Sequence, residues 1–272
     1  MTRILKMDTR DFVPLQPGFE MNTSYYVEYK EKDKLDGSAT LFYQFKVKDN
    51  IANKMTIFPD GCVDILFCCD PDQPYANVCG SVLTCKTLQL QANQEYFGVR
   101  FLPKFELDRS RYSIKDIINS EVPLLDMFLI DHSSIREIIK EKAFSEKVKL
   151  FNNILRSIIF TSQSSASSIE FALRKIYSVK GNISMNELAE EIGCSTRYLR
   201  KNFEQNIGIS PKLFSQILRF QYSLYMLIKR NEYNIRDIIY EIGYYDQAHF
   251  INEFKKFSQL TPKEILLQTA RI

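Results

Sequence analysis

The sequence predicts an α+β protein: a β-rich N-terminal domain with appended helices, followed by an all-α domain. Short runs of β-branched and aromatic residues, separated by turn-forming residues, fill residues 12–105. From residue 169 onward, the apolar residues recur with helical spacing. Between the two regions, TSQSSASS (161–168) is small and polar, which is typical of a flexible linker. We therefore expect domains at 1–160 and 169–272, joined by residues 161–168.

Six strands are predicted in the N-terminal domain, at residues 39–48, 55–58, 62–69, 81–85, 87–92 and 96–102. Their short lengths and close spacing are typical of a small barrel or sandwich. Helical patterns follow at 113–120, 134–144 and 146–160. The last of these carries one apolar stripe, formed by Val148, Phe151, Leu155, Ile158 and Ile159. We expect this stripe to pack on the strands or to form the seam of a homodimer.

The charge of the chain is unevenly distributed. Residues 166–272 contain 15 Lys and Arg against 11 Asp and Glu, a net charge of +4, whereas residues 1–165 contain 21 against 22. This excess indicates a mild preference for a polyanion. The N-terminus lacks a signal-peptide pattern, and no apolar run approaches the roughly 18 residues of a membrane helix. The six cysteines lack the spacing of a disulfide framework, so we expect a cytoplasmic protein with no membrane partner.

The C-terminal region contains an internal repeat. Glu191-Ile192-Gly193 recurs as Glu241-Ile242-Gly243, and Ser210-Pro211 recurs as Thr261-Pro262. Each copy therefore reads as a helix, a glycine turn, a second helix and a Ser/Thr-Pro helix start. Two helices joined by a short glycine turn form a helix-turn-helix unit, whose second helix can enter the major groove of DNA. The repeat predicts two such units and double-stranded DNA as the partner.

Helical periodicity places the predicted DNA-contacting residues opposite the buried Leu199 and Phe203, and opposite Phe250 and Phe254 in the second copy. They are Ser195, Thr196, Arg197, Arg200 and Lys201 in the first unit, and Gln247, Ala248, Ile251, Asn252, Lys255 and Lys256 in the second. Arg suits guanine, Asn and Gln suit adenine, and Ala tolerates a thymine methyl group. Ser195, Thr196 and Lys256 are better placed for phosphates.

The segment between the two units has a length that suits this function. A helix from Pro211 to about Arg230 would span roughly 30 Å at 1.5 Å per residue. One turn of B-DNA is about 34 Å long, so both second helices would reach successive major grooves.

These residues resemble a known family. MNELAEEIGCSTRYLRKNFEQNIGISP (185–211) and IRDIIYEIGYYDQAHFINEFKKFSQLTP (235–262) are similar to the two helix-turn-helix motifs of AraC/XylS-type transcription regulators. The resemblance implies a seven-helix domain that binds promoter DNA asymmetrically, with RNA polymerase as a further partner. Activation and repression both stay open. Two positions depart from the pattern: Ile239 replaces a small residue, and Gln259 replaces the glycine before the final Thr-Pro.

The N-terminal domain resembles a cupin-like sensor domain in FPDGCVDILF (58–67) and FGVRFLPK (97–104), with Lys104 where glycine is more usual. Asp64 and Arg100 are charges inside otherwise apolar strands. We hypothesise that they hold a polar small-molecule effector or form a salt bridge across the barrel.

Other functions stay open for the N-terminal domain. Five cysteines lie between Cys62 and Cys85, which allows a redox- or metal-sensing regulator or a cysteine-dependent alkyl-transfer enzyme. Buried packing of these cysteines is the simpler interpretation, because cysteine is among the most buried residue types. A metal-dependent cupin-like enzyme would need several histidines, and residues 1–165 contain only His132. A domain that mediates only protein contacts is a further alternative. No catalytic residue, cofactor or metal site is predicted.

Overall fold

Two antiparallel sheets form the N-terminal domain. The computed structural model describes residues 12, 14–32, 39–49, 54–103, 111–155, 168–229 and 233–269. A short helix, α1 (Pro17–Asn22), precedes the strands. The strands are β1 (Thr23–Lys32), β2 (Ala39–Val47), β3 (Lys54–Ile57), β4 (Val63–Cys68), β5 (Tyr75–Cys79), β6 (Lys86–Gln89), β7 (Glu95–Phe101) and β8 (Glu121–Pro123). Six of them form one sheet in the order β1-β2-β7-β4-β5-β8, and β3 pairs with β6.

The register of the large sheet brings the two predicted charges together. In the β4–β7 pair, Asp64 lies directly opposite Arg100. Side chains directly opposite each other on neighbouring strands lie on the same face of the sheet. A salt bridge was one of the two hypotheses for these charges, and the pairing makes them neighbours.

The predicted strand at 81–85 is wrong, because this segment is an irregular loop. Its polar groups bond to partners outside any sheet. The Ser81 hydroxyl donates to the Cys62 carbonyl (2.7 Å), the Leu83 N–H donates to Asn119 Oδ1 (2.9 Å), and the Cys85 N–H donates to the Phe257 carbonyl (2.7 Å). The prediction also missed β1, β5 and β8.

The helical section after β7 is more interrupted than predicted. Residues 113–120 contain only a 3₁₀ turn, Ile114–Ile117. After the one-turn helix α2 (Leu124–Met127), helix α3 (His132–Lys140) stops before α4 (Phe144–Leu150), so the single helix predicted at 134–144 is wrong. The chain breaks there because the Glu141 carboxylate accepts the next two backbone N–H groups, at 2.6 and 2.8 Å.

The apolar stripe packs on the large sheet over its described part. Val148 and Phe151 are buried in one cluster with sheet residues such as Phe97 and Phe101. After α4 the chain continues as a π-helical turn, Phe151–Leu155. Ile158 and Ile159 lie outside the described residues, as does the linker at 161–167. Ser168, which was expected in the linker, is the first residue of a helix.

Seven helices form the C-terminal domain within residues 168–229 and 233–269. They are α5 (Ser168–Ser178), α6 (Met185–Ile192), α7 (Thr196–Ile207), α8 (Pro211–Ile228), α9 (Ile235–Ile242), α10 (Gln247–Ser258) and α11 (Pro262–Thr269). The long helix α8 lies at the centre and is buried over most of its length. The predicted order, a β-rich domain followed by an all-α domain, is confirmed.

The two domains share one buried cluster. Phe12 and Phe58 of the N-terminal domain are buried among residues of the C-terminal helices. The Phe12 ring lies 5.4 Å from that of Tyr177, and the Phe58 ring lies 5.9 Å from that of Phe220, centroid to centroid. We call this shared cluster the interdomain core. None of the helices in the described ranges has the length and apolar character needed to cross a membrane.

Candidate DNA-binding surface

The first helix-turn-helix unit is built from α6 and α7. Ser184 and Glu187 form the predicted capping box at the start of α6, with N–H to oxygen distances of 3.0 and 3.2 Å between the two residues. Gly193 ends α6 with φ of 75°, a conformation that glycine adopts without a steric penalty. Ser195 then caps α7, where its hydroxyl oxygen accepts the N–H of Tyr198 (3.2 Å). These caps fix the direction in which α7 leaves the turn.

The second unit repeats this construction with α9 and α10. Asn234 caps α9 by accepting the N–H groups of Arg236 and Asp237. Gly243 has φ of 77°, almost the same as Gly193. Asp246 caps α10 by accepting the N–H of His249 (2.7 Å). The departure at Ile239 therefore leaves the turn between the two helices unchanged.

The aromatic stripe of α10 is buried as predicted, since Phe250, Phe254 and Phe257 have no exposed surface. In α7, Leu199 and Phe203 are buried in the same way. The opposite faces are open to solvent. The exposed predicted residues are Ser195, Thr196, Arg197, Arg200 and Lys201 on the first unit, and Gln247, Ala248, Asn252, Lys255 and Lys256 on the second. Ile251 is half-buried and packs against the interdomain core, so it offers less surface than its neighbours.

The cations on this surface differ in their partners. Arg200 Nε bonds to Glu204 Oε1 at 2.8 Å, one helical turn away. Lys256 Nζ donates to Gln216 Oε1 (3.0 Å) and lies 4.9 Å from the centre of the Phe257 ring. Arg197, Lys201 and Lys255 have no ion-pair partner among the described residues. These three are the cations most available to an external anion.

Sequence reasoning missed two tyrosines on the same surface. Tyr198 follows Arg197 in α7 and is 57% exposed, whereas Tyr245 precedes α10 and is 91% exposed. A phenol offers a hydroxyl donor for phosphates and an apolar ring for sugars and bases. Tyr245 lies two residues after the turn glycine, in the short connection that leads into α10, while the neighbouring Tyr244 is buried.

A buried ion pair holds α10 against α8, and it was also missed. Glu253 is buried on the inner side of α10, and its Oε1 accepts the Arg219 Nε–H at 2.9 Å. Arg219 makes a second contact to Oε2 of the same carboxylate, and Gln216 Nε2 donates to Oε2 at 3.1 Å. A bidentate arginine–carboxylate pair has a fixed geometry. It therefore orients α10 relative to the long helix α8. We call α7 and α10, the second helices of the two units, the recognition helices.

Comparison with known proteins agrees with this geometry. Residues 188–268 match a family described as a helix-turn-helix domain. An uncharacterized HTH-type transcriptional regulator of Haemophilus influenzae is 35% identical over 80 residues, which are 29% of this chain and 26% of that protein. The HTH-type transcriptional activator RhaS of Escherichia coli is 26% identical over 83 residues, 30% of each chain. Residues 188–268 are an AraC-type helix-turn-helix domain.

The chain matches less than a third of the length of these relatives, and the matched part is the AraC-type domain alone. Among solved structures, ToxT from Vibrio cholerae aligns over 89% of this chain and 97% of its own, with 14% identity and a TM-score of 0.42. ToxT with a bound unsaturated fatty acid aligns over 92% and 98%, with 14% identity and a TM-score of 0.40.

A cavity of about 50 Å³ lies in the N-terminal domain, apart from the AraC-type domain. It is lined by residues of both sheets, mostly apolar, with Asp64 and Arg100 at its polar part. Arg100 donates from Nε to Asp64 Oδ1 (2.8 Å) and from Nη2 to Oδ2 (2.7 Å). The predicted salt bridge is therefore present, and both of its members also line the cavity.

A third charge, Asp60, was missed because it lies in the turn between β3 and β4. Its Oδ2 is 3.4 Å from Arg100 Nη1 and accepts a hydrogen bond from Gln16 (2.8 Å). Burial raises the pKa of the Asp60 carboxyl, and the neighbouring Arg100 opposes this shift. The cavity lining thus has three carboxylates, Asp60, Asp64 and Glu121, against two cations, Arg100 and Lys86, which leaves its polar part rich in hydrogen-bond acceptors.

All six cysteines are free thiols. Burial raises the pKa of the thiols of Cys62, Cys68, Cys69, Cys79 and Cys85. A raised pKa keeps a thiol protonated and lowers its reactivity, because the thiolate is the nucleophile. In the described ranges no group of three or more His, Cys, Asp and Glu side chains is arranged to hold a metal ion. The buried-packing interpretation of the cysteines fits these observations better than the reactive one.

Proposed function

We propose that the whole protein is a one-component transcription regulator that binds promoter DNA through both helix-turn-helix units. The observation that carries this proposal is the pair of open faces on α7 and α10, each held by a side-chain cap and a left-handed glycine turn. Helix α8 joins the two units and has 18 residues, about 27 Å at 1.5 Å per residue. This length is close to the roughly 34 Å of one turn of B-DNA, so the two faces suit successive major grooves.

Selection of bound fragments from sheared genomic DNA tests this proposal with the full chain. Enrichment of discrete sites is the expected result. The affinity for a selected site should fall steeply with salt, because Lys and Arg contacts to phosphates release counterions. If all fragments were enriched equally at every salt concentration, the protein would bind DNA without sequence specificity, and this result would contradict the proposal.

We further propose that the cavity binds a small-molecule effector through Asp64, with Arg100 holding that carboxylate in place. The effector best suited to the acceptor-rich polar part is a small, largely apolar molecule with one hydrogen-bond donor group. Asp64→Asn should weaken the response of DNA binding to an effector while the protein stays folded. Loss of folded protein for Asp64→Asn, measured by circular dichroism, would assign the pair a purely structural role.

We place the protein in the cytoplasm, where promoter DNA and RNA polymerase are found, and propose that it has no enzymatic activity, in line with the raised pKa of the five thiols between Cys62 and Cys85. A homodimer is also proposed, since β1 lies at the edge of the large sheet with Tyr25, Val27 and Tyr29 partly exposed. Analytical ultracentrifugation of the full chain at micromolar concentration tests the dimer, and a monomer would remove it.

A further inference from the structure

The N-terminal domain contacts the first helix-turn-helix unit at the end of α7 that lies away from the predicted base contacts. The 3₁₀ turn Ile114–Ile117 lies against α7. Gly208, which ends α7, approaches Ile114 so closely that an added Cβ would lie 2.8 Å from its Cγ2 and 3.2 Å from its backbone. The C-terminal end of the first recognition helix therefore rests on the backbone of the N-terminal domain.

A second contact reaches the corresponding end of α10. The backbone N–H of Cys85 donates to the carbonyl oxygen of Phe257 at 2.7 Å. The last four carbonyl groups of a helix have no partner within that helix, so this bond supplies one from the other domain. Both recognition helices are thus held at their C-terminal ends, while the predicted DNA contacts stay exposed, including Lys255 and Lys256 near the end of α10.

A third contact holds the long helix between the two units. The Phe58 ring packs on Phe220, and Gln221 Nε2 donates to the carbonyl oxygen of Pro59 at 2.7 Å. Gly61 leaves room for Phe214, since a Cβ there would lie 2.9 Å from its ring. The middle of α8 is therefore fixed to the turn between β3 and β4.

The three contacting segments are bonded to one another. Ser81 donates from its hydroxyl to the Cys62 carbonyl (2.7 Å) and accepts the Asn119 N–H at its own carbonyl (3.0 Å). Asn119 Oδ1 in turn accepts the Leu83 N–H (2.9 Å). Residues 58–62, 81–85 and 114–119 therefore form one connected body, which we call the three-segment support.

We propose that the three-segment support sets the distance and angle between the two recognition helices, and thereby determines which spacing between two DNA half-sites the protein selects. Ile114, Phe58 and Cys85 act as positioning residues, because they hold helices that contact DNA without contacting it themselves. The proposal rests on the proposed function, since it needs both helices to read one DNA molecule. Inserting one base pair between half-sites shifts them by about 3.4 Å and rotates them by roughly 35°, which a rigid support cannot follow.

The experiment compares Cys85→Pro, which has no N–H to donate to Phe257, with Cys85→Ser, which keeps that N–H. Full-length proteins are titrated with a selected DNA site and with the same site lengthened or shortened by one and two base pairs. Wild type and Cys85→Ser should lose about tenfold or more in affinity on the altered spacings, because one lost base contact costs about 1–3 kcal/mol. Cys85→Pro should lose about threefold or less in affinity on the altered spacings, which corresponds to roughly 0.7 kcal/mol of binding free energy.

Ile114→Ala provides a second test at the other unit, in case Cys85→Pro does not fold. It should flatten the spacing preference in the same way while affinity for DNA carrying one half-site stays unchanged. A spacing preference as steep as wild type in every folded variant would overturn the proposal. Failure of the proposed function gives a different result, namely that wild type selects no sequence at any spacing.

Discussion

Arg197 is an exposed cation on the open face of α7, with no ion-pair partner among the described residues. Its neighbour Arg200 is already bonded to Glu204. Arg197→Ala is expected to cost about 1–3 kcal/mol of binding free energy on a selected site and to relax the preference at one base position, if the guanidinium bonds to guanine. Gel-shift titrations against a set of single-base variants of the site measure both effects.

Arg200→Ala is the matched control, because the Glu204 carboxylate competes with DNA for its guanidinium. Its effect should be smaller than that of Arg197→Ala and should not depend on the sequence. An equal loss for Arg197→Ala on every DNA sequence would reassign Arg197 to a phosphate contact.

Gln259 ends α10 in a backbone conformation that is unfavourable for residues with a Cβ. Its φ is 59°, and the equivalent residue of the first unit is Gly208, with φ of 83°. The chain therefore keeps the turn that glycine favours, although the sequence departs from glycine here. Gln259→Gly is expected to raise the free energy of unfolding by about 1 kcal/mol, since the left-handed conformation costs an L-residue about 1–2 kcal/mol. Urea denaturation measures the change.

Gln259→Ala separates backbone strain from loss of the glutamine side chain. Alanine keeps the Cβ and with it the unfavourable conformation, so it should not stabilise the protein. Equal stabilisation by Gly and Ala would show that the glutamine side chain, rather than its backbone, is the unfavourable feature.

At the scale of residues, the sequence predicted which side chains face solvent but not what they bond to. Helical periodicity placed Arg197, Lys201 and Asn252 correctly, because the positions of side chains around a helix depend only on 3.6 residues per turn. The bond from Lys256 to Gln216 depends on how α10 crosses α8, which no local pattern encodes. The same is true of Asp60, whose partner Arg100 is 40 positions away in the chain.

Capping boxes begin several helices, and they make stability depend on pH. Glu187 has its pKa held below the usual value of 4.5, because the Ser184 N–H donates to its carboxylate and the Ser184 side chain adds to the effect. Glu264 shows the same direction through the N–H of Thr261. A depressed folded-state pKa means that the unfolded chain binds the proton more tightly. The stabilisation is therefore complete above the unfolded pKa and is lost as the pH falls through the folded one.

Glu187→Ala tests this linkage. The variant should be less stable than wild type at pH 7, and the difference should shrink as the pH falls below about 4.5. Urea midpoints at pH 7, 5 and 3 supply the comparison. Glu190→Ala, another exposed glutamate of α6 outside the capping box, should show a smaller difference at pH 7. A Glu187→Ala difference that stays constant down to pH 3 would mean that the carboxylate charge does not contribute.

Elements were predictable where local pattern and burial agree. The central strands β2, β4 and β7 are apolar runs buried on both faces, and the sequence located each of them to within a residue or two. Edge strand β1 was missed, because four of its ten residues are charged and its apolar residues do not alternate strictly with polar ones. The segment 81–85 was predicted as a strand because it is a short apolar run. Its Leu83 and Cys85 pack against the interdomain core, so the apolar residues are explained by contact with the other domain and not by a sheet.

At the scale of the whole molecule, the relation between the domains was not predictable. A polar linker favoured two bodies joined by a flexible connection. The contacts of the interdomain core join residues more than a hundred positions apart, such as Pro59 and Gln221. Such contacts leave no periodic signal in the sequence, because each consists of one or two residues in a turn. Pro59-Asp60-Gly61 consists of turn-forming residues, yet nothing local indicates that this turn meets α8.

The interdomain core should make the two domains unfold together. Phe58 is 4% exposed and packs on Phe220, which in turn packs on Phe254 and Phe257 of α10. Phe58→Ala is expected to lower the free energy of unfolding by about 3–5 kcal/mol, because it removes a buried ring and leaves a cavity. Because that cavity lies between the domains, the single calorimetric transition expected for wild type should split into two.

Phe97→Ala is the comparison that separates coupling from stability, since Phe97 is fully buried within the large sheet and away from the interdomain core. It should lower stability by a similar amount, yet it leaves the contacts between Phe58 and α8 in place. Two transitions in Phe58→Ala and one in Phe97→Ala would show that the domains communicate through this core. That communication is also the route by which a ligand in the N-terminal cavity would act on the recognition helices, since the cavity residue Asp60 lies in the turn that contacts α8.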